Sequence, residues 1–232
     1  MDNILATPLF YLFIAFTFLL SFGYFRGRRR NKEIYQSAFK ALVDIVKPND
    51  QTFTVIGGVV GYHANFYMPK QHPLSQIDAT ITLLPRHSWL YLPISYLTRR
   101  FDRLFITLNC RAPLPPGEGH LIESSYARFR GAGITNEEKL QKEKLDWGNH
   151  RFYLYYDDKK TRDLLLSFVA ENPDPGLIRH MALVPDKKRG FVFMIPRIGQ
   201  VQDSFAPLYR WFLSTLKKEE RELHRKNGKI EA

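Results

Sequence analysis

The feature that most constrains this chain is an unbroken apolar run over residues 4–25, which a strongly basic segment follows directly. At about 1.5 Å per residue the run would form a helix of roughly 33 Å, long enough to cross a hydrocarbon core of about 30 Å. Its small polar side chains are hydroxyls, which a helix can satisfy on its own carbonyl groups: Thr7, Thr17 and Ser21. The run therefore predicts a transmembrane helix over residues 4–25.

The basic segment, residues 26–32, predicts the orientation of the chain. It contains five cations, namely Arg26, Arg28, Arg29, Arg30 and Lys32. Because such clusters remain on the cytoplasmic side of a membrane, we expect residues 1–3 outside and the rest of the chain in the cytoplasm. The same cations can hold anionic headgroups, at about 1 kcal/mol per charge near the surface. They are therefore expected at the membrane surface, in contact with the lipid bilayer.

A cleaved signal peptide is the alternative reading of the N-terminus. Signal peptides carry their positive charge before a shorter apolar core and end at small residues. Here Asp2 precedes the run, and the run leads through Tyr24 and Phe25 into the basic segment. These features favour a membrane anchor.

Composition limits the class of protein and its partners. The chain has 232 residues, 44% of them hydrophobic, which suits one or two compact domains after the anchor. A single cysteine, Cys110, excludes an internal disulfide framework and fits a reducing compartment. The net charge of +11 exceeds the contribution of the basic segment, so the rest of the chain is basic as well. Such a surplus indicates anionic lipid or nucleic acid, with ordinary basicity as the alternative.

Hydrophobic periodicity predicts an α+β domain over residues 33–202, with helices before, between and after the strands. Alternation and turn signals indicate six or seven strands in two groups, at 52–58, 62–68, 77–84, 104–110, 151–156, 177–184 and 191–195. Helical spacing and pairs of opposite charges predict helices at 31–47, 136–147, 159–170 and 203–227. The stretch 111–119 is rich in proline and glycine and should be irregular.

The segment 89–100 is very apolar but contains Pro93. It is too short to span a bilayer. Two interpretations remain open, a buried short helix or a segment lying on the membrane with Trp89 and Tyr91 at headgroup depth.

No constellation of residues predicts an enzyme. The seven histidines are scattered, and nucleotide-binding, nucleophile and metal-binding motifs are absent from the sequence. Asp157 and Asp158 could act as a general acid and base, but they precede a predicted helix, where capping is the ordinary role of aspartate. We therefore expect no catalytic residues, no cofactor, no metal and no small-molecule substrate.

The predicted C-terminal helix, residues 203–232, changes character part way along. Its first half has an apolar face formed by Phe205, Leu208, Phe212 and Leu216. Its second half lacks an apolar stripe, so it should project into solvent or meet a polar partner. Its cations recur every three to four residues, which would align them for phosphate contacts in folded RNA. The alternative is a solvated terminus.

Several segments together resemble the calumin family, the coiled-coil-domain subunits of the PAT complex (protein associated with the translocon). They are the anchor, NKEIYQSAFKALVDIVKP with the strand after it, the segment preceding FITLNC, RFYLYYDDKKTRDLLLSF, DKKRGFVFMIPRIG and PLYRWFLSTLKKEERELHRKNG. The resemblance covers most of the chain after residue 4, and the last two segments are the most specific.

The resemblance implies a ribosome-associated factor, a chaperone-like cofactor for the insertion of multi-span membrane proteins. Its partners would be ribosomal RNA near the exit tunnel and the Sec translocon or an insertase of the Oxa1 superfamily. By position, ribosome contact would fall on Lys217, Lys218, Arg221, Arg225, Lys226 and Lys229, and also on Lys187, Lys188 and Arg189. The acidic lumenal region of the family has no counterpart before residue 4, so calcium binding is not implied. A minimal archaeal relative in the plasma membrane is expected, or a protein of the endoplasmic reticulum if eukaryotic.

Overall fold

A computed structural model of the chain describes residues 8–130, 134 and 137–227. A long N-terminal helix leads into a nine-stranded antiparallel sheet, and a C-terminal helix follows the last strand. The α+β class predicted from the sequence is confirmed.

Helix α1 runs without interruption over Pro8–Val46. The apolar run from Pro8 onward and the helix predicted at 31–47 are therefore one element, and the basic segment is helical throughout. Residues 4–7 of the predicted transmembrane helix lie outside the described residues. No residue inside this stretch breaks a helix, since Gly23 and Gly27 only lower helix propensity. The helix ends where Lys47 adopts a left-handed φ of 50° ahead of Pro48.

The first half of α1 is long and apolar enough to cross a membrane. The domain does not cover it, because side chains such as Leu9, Phe13 and Phe18 are exposed on all sides of the helix. The second half packs on the sheet through Ile34, Leu42 and their neighbours. One helix thus has an apolar half that is exposed except near its end at Gly23, and a half-buried amphipathic half.

The sheet has the spatial order β1-β2-β3-β4-β9-β8-β5-β7-β6, and every neighbouring pair of strands is antiparallel. The strands are β1 Asp50–Val55, β2 Gly61–Tyr67, β3 Leu74–Thr82, β4 Arg103–Cys110, β5 Gly119–Glu123, β6 Gln141–Trp147, β7 His150–Tyr156, β8 Ile178–Val184 and β9 Arg189–Met194. The remaining helices are α2 Leu92–Thr98, α3 Ser124–Arg130, α4 Lys159–Glu171 and α5 Val201–Asn227.

The main core lies on one face of this sheet. Helices α1 and α5 lie side by side there, and α4 flanks α5. The core side chains include Leu42, Ile106, Leu154, Phe168 and Phe212. Helix α3 contacts the other face at β5 and β7, and that face carries partly exposed polar side chains elsewhere.

Strand register defines two ends of the sheet. The near end is where α1 first reaches the domain, and it comprises the turn at 56–60 and the connection at 83–102 that contains α2. The far end is the opposite one, and it comprises the loops at 69–73 and 111–118 and the turn at 185–188. Asn31 of α1 bonds to the near end, whereas Asn49, just after α1, bonds to Tyr67 at the far end. Helix α1 therefore runs from the near end to the far end.

One predicted helix is wrong. The segment predicted as a helix at 136–147 forms a 3-10 turn, Glu137–Lys139, and then the edge strand β6. The charged residues of this segment fit the spacing of a helix, but they also fit the alternation of a strand. In the structure the strand period of two applies. Lys142 and Lys144 are exposed, while Glu143 and Leu145 face the side on which Trp147 is buried.

The predicted number and grouping of strands were also wrong. Strand β5 and helix α3 were not predicted, and β5 lies between β8 and β7 in the middle of the sheet. It merges the two predicted groups into one sheet. Four of its five residues are buried, so its sequence lacks the alternation that marks a strand with one solvent face.

Candidate nucleic-acid interface

Helix α5 connects the two ends of the sheet. Near its start, the backbone N–H of Leu177 donates to Ser204 Oγ at 3.0 Å, at the near end. Further along, Phe212 contacts Gly190, where an added Cβ would lie 2.5 Å from the ring. Leu216 is the last fully buried apolar residue. The helix then continues for about 16 Å to Asn227, beyond the far end.

Two acidic side chains of this projecting half, Glu219 and Glu222, are directed toward α4. Lys160 Nζ lies 2.7 Å from Glu219 and 2.8 Å from Glu222. Partial burial opposes the charge of Lys160, but its hydrogen bonds to the two carboxylates prevail and raise its pKa. Glu219 is buried, so the contact extends the interface between α4 and α5 by about one turn beyond Leu216.

The basic side chains of the same half face away from the core. Four of them are exposed, namely Lys217, Lys218, Arg221 and Arg225. At 3.6 residues per turn they lie within an arc of about 100°, on the opposite side of the helix from Phe212 and Leu216. None of the four forms an ion pair with another described residue. The side chain of Lys226 and the whole of Lys229, which were predicted to belong to this set, lie outside the described residues.

The turn between β8 and β9 brings the second predicted group to the same end of the sheet. Lys187, Lys188 and Arg189 are exposed there. Lys188 has a left-handed φ of 50°, and its carbonyl accepts a hydrogen bond of 2.9 Å from the backbone N–H of Cys110. The turn is therefore fixed to the end of β4.

Arg111 lies at the same end of the sheet and was not predicted. Its Nη1 donates to the carbonyl oxygens of Pro69, His72 and Leu74 at 2.7, 3.1 and 2.7 Å. Burial lowers the pKa of His72, and the positive charges of Arg111 and Lys217 lower it further. Lys217 is thus near enough to the loop that Arg111 holds for its charge to act on His72. Arg111 lies in a proline-rich stretch, where local pattern carries no signal of such contacts.

The predicted membrane-surface residues lie at the near end, away from this region. Arg29 and Arg30 pair with Glu33 at 3.1 and 3.6 Å, whereas Arg26, Arg28 and Lys32 are exposed and form no ion pair with a described residue. Trp89 packs against Gly23 of α1. Tyr91 is exposed at the start of α2. The structure thus separates the two predicted sets.

The other ionisable groups have structural environments. Burial raises the pKa of the Cys110 thiol to about 12. Asp158 caps α4 by accepting from the backbone N–H groups of Lys160 and Thr161 at 3.0 and 3.3 Å, which confirms capping. Over the described ranges, no three His, Cys, Asp or Glu side chains are grouped as a metal site.

Two further features bear on chemistry. His120 Nδ1 lies 3.2 Å from His180 Nε2 inside the sheet, and burial lowers the pKa of His180 to about 3. A groove of about 600 Å³ between α1 and the β1–β2 hairpin is lined largely by aromatic and aliphatic side chains, such as Tyr35 and Phe53. Its polar lining side chains include Gln36, Lys40, Thr54 and His63.

No protein-family model and no curated protein sequence matches the chain. The geometry of the far end is therefore the main basis for a functional conclusion. This cluster combines exposed cations on a projecting helix with a basic turn and Arg111, an arrangement suited to phosphate groups.

Proposed function

We propose that this protein is a membrane-anchored, ribosome-associated cofactor for the insertion of multi-span membrane proteins, without enzymatic activity of its own. Helix α1 tethers it with residues 1–3 outside, and the α+β domain is a cytoplasmic scaffold. The cations of α5 contact ribosomal RNA. The observation that carries the proposal is the exposed basic arc of Lys217, Lys218, Arg221 and Arg225, which forms no ion pair with another described residue and lies at the end farthest from the apolar half of α1.

The direction of the molecule supports this proposal. The apolar half of α1 leaves the near end, and the basic half of α5 leaves the far end. A ribosome approaching a membrane-anchored domain from the cytoplasm would meet the far end first. Cations bind phosphate best where no neighbouring carboxylates compete for them. Lys160 binds the carboxylates of Glu219 and Glu222, so these two do not compete for the cations of α5.

The continuity of α1 supports an anchor over a cleaved signal. Gly23, Gly27 and Asn31 are buried against the domain in the same helix that carries the apolar run. Cleavage between the apolar run and the basic segment would cut the helix where it packs against the domain. The part played by the Sec translocon or an Oxa1-superfamily insertase depends on the resemblance to the calumin family alone.

The decisive experiment is ribosome co-sedimentation at increasing salt. Replacing Lys217, Lys218, Arg221 and Arg225 by Gln should weaken binding at least tenfold at moderate salt. Because each phosphate contact contributes about 0.7 to 0.9 to the slope of log affinity against log salt, the slope should fall by roughly 3. This change keeps Glu219 and Glu222 on Lys160, whereas deletion of residues 217–232 would remove them.

The matched control replaces four exposed cations away from the far end by Gln: Lys40, Lys144, Arg151 and Arg197. It alters the net charge equally and should leave the affinity within about twofold. If both variants bind as the unmodified chain does, the far end is not the ribosome contact. If both lose affinity equally, the attraction depends on net charge alone.

Orientation has its own test. Protease added outside intact cells should leave the domain intact. Digestion of the domain from outside would invert the topology and exclude a ribosome partner.

A second candidate function is a lipid-binding module of the membrane surface. The observation that favours it is the set of exposed cations Arg26, Arg28 and Lys32, which form no ion pair with a described residue and follow Gly23, where Trp89 packs. The protein purified in mild detergent should then retain anionic lipid, and the triple replacement of these cations by Gln should release it. Retained anionic lipid together with no ribosome binding would favour this function over the first.

A further inference from the structure

Exposed apolar side chains are concentrated at the near end of the domain. Outside the apolar half of α1, most of the large ones lie in the 56–60 turn or beside it, and in the segment 89–97: Val55, Ile56, Trp89, Leu90, Tyr91, Ile94, Tyr96 and Leu97. Contiguous exposed apolar surface of this kind marks an interaction site. Both segments flank α1.

Helix α2 presents its apolar side outward. Leu90, Ile94 and Leu97 are 71, 51 and 82% exposed and follow one another at spacings of four and three residues, so they share one face. Ser95 between them is fully buried. This is the reverse of the pattern of a helix that packs on its own domain. The exposed face therefore requires an apolar environment outside the protein.

Contacts with α1 set the depth of this segment. A Cβ added to Gly23 would lie 2.5 Å from the Trp89 indole, and one added to Gly27 would lie 1.9 Å from the carbonyl oxygen of Arg86. Gly23 precedes the first cation, Arg26, by about 4.5 Å along the helix. Trp89 is therefore level with the last apolar turn of α1, on the membrane side of the basic segment.

A buried polar network keeps this depth constant. Arg86 forms two hydrogen bonds of 2.8 Å to Asp102 and one of 3.0 Å to Asn31 of α1. Asn31 in turn donates to the carbonyl oxygens of Leu84 and Val59 at 2.9 and 3.1 Å. One side chain of α1 thus holds both apolar segments, since Val59 belongs to the 56–60 turn.

We infer that the near end of the domain is embedded in the lipid bilayer. Leu90, Ile94 and Leu97 insert among the acyl chains on one side of α1, and Ile56 does so at the tip of the β1–β2 turn. Arg99, exposed just after α2, is placed to meet the headgroups. The domain is thereby held in one orientation with its far end away from the membrane. This inference rests on the membrane anchoring of the proposed function and not on the ribosome contact.

The experiment measures probe depth in the full chain reconstituted in phosphatidylcholine–phosphatidylglycerol vesicles without ribosomes. Single cysteines at Leu97→Cys, Ile56→Cys, Phe16→Cys and Tyr67→Cys are labelled with an environment-sensitive fluorophore. All four positions are exposed in the described structure, so the label should not disturb folding. Native Cys110 is buried with a high pKa, so it should remain unlabelled in the unmodified chain.

Spin-labelled lipids should quench the probes at 97 and 56 to at least half the extent seen at 16. Aqueous iodide should quench them several times less than the probe at 67, which lies at the far end. Quenching at 16 with iodide access at 97 and 56 equal to that at 67 would overturn this inference alone.

Two other outcomes would also overturn it. Protection at 97 from iodide without quenching by lipid would mean that another copy of the chain covers the surface. Absence of lipid quenching at 16 would overturn the anchor as well, and therefore the proposed function. A failure of ribosome binding would leave all four readings unchanged.

Discussion

The near end and the far end of the same sheet have opposite surfaces. The near end exposes Leu90, Ile94 and Leu97 and contains the largely buried ion pair Arg86–Asp102. The far end exposes lysines and arginines, and Leu223 on the projecting helix is its main exposed apolar side chain beyond Leu216. Antiparallel strands and two helices that run from one end to the other hold these surfaces apart. The domain is therefore polarised along its strands, as a spacer between two different environments would be.

The largest expected effect comes from separating the near end from α1. Arg86→Ala leaves the carboxylate of Asp102 buried without its cation, which should lower the free energy of unfolding by about 3 kcal/mol or more. Urea unfolding of the full chain in detergent micelles measures this loss. Arg99→Ala, an exposed arginine on the same connection, is the control and should change stability by less than about 0.5 kcal/mol. Equal effects of the two changes would mean that the network does not join α1 to the domain.

A smaller loss is expected at the close contact between α1 and the near end. Gly27→Ala places a Cβ against the Arg86 carbonyl, so the helix must shift, at a cost of about 2 kcal/mol. Thermal unfolding in micelles should show the decrease. Gly57→Ala meets only ordinary contacts at 3.4 Å and should have little effect. A Gly27→Ala protein as stable as the unmodified chain would contradict the rigid attachment of α1.

Acid should destabilise the whole domain, because the group that it protonates, His180, lies inside the sheet between the two ends. Burial lowers the pKa of His180 to about 3, with the neighbouring His120 adding to the effect. Below pH 6.5, His180 of the unfolded chain binds a proton that the buried His180 of the folded chain excludes. The contribution of neutral His180 to the free energy of unfolding is therefore complete above pH 6.5 and is lost as the pH falls toward 3. Between pH 7 and pH 5 the free energy of unfolding should fall by about 2 kcal/mol.

The control for acid sensitivity is His180→Phe, which removes the titrating group but keeps an aromatic ring beside Phe191. Urea titrations at pH 7 and pH 5 should show a smaller difference for this variant than for the unmodified chain. The same pH dependence in both would assign the acid sensitivity to other groups.

The smallest expected effect concerns the bridge from α4 to the projecting half of α5. Lys160→Met leaves Glu219 and Glu222 without their cation, which should cost about 1 kcal/mol because Lys160 is partly exposed. Amide hydrogen exchange should accelerate at 217–225, and ribosome affinity should fall as the freed carboxylates compete for the cations. Lys159→Met, exposed and without an ion pair to a described residue, should change neither. Unchanged exchange in Lys160→Met would show that α5 holds its projecting half without α4.

Local sequence pattern predicted the elements whose signals, such as apolar spacing and a capping residue, lie within the element itself. The helix over Lys159–Glu171 and its cap Asp158 follow from apolar spacing and from an aspartate before the first turn. Strand β6 was mistaken for a helix because its charges satisfy both periods, and Trp147 faces the core only once β7 lies beside it. Strand β5 could not be predicted from alternation. A strand in the middle of a sheet can be buried on both faces, and its sequence then shows no alternation of apolar and polar residues.

The candidate interface was predictable only in part. The cations of α5 and of the 185–188 turn stand out in the sequence. Arg111, Lys160 and Asn31 do not, because their roles come from partners far along the chain. Lys160 and Glu219 are separated by 59 residues, and Asn31 and Leu84 by 53.

The sequence by itself determined the length of the apolar helix, the basic segment that follows it and the positions of the exposed cations. These are properties of residues within one or two turns of each other, where spacing and charge act locally. Only the tertiary structure decided that the apolar surfaces meet at one end and the cations at the other. It also decided that two glutamates of α5 contact Lys160 and that the domain packs closely against α1 at Gly23 and Gly27. Those outcomes depend on which distant strands pair and in which register, and long-range packing settles that choice.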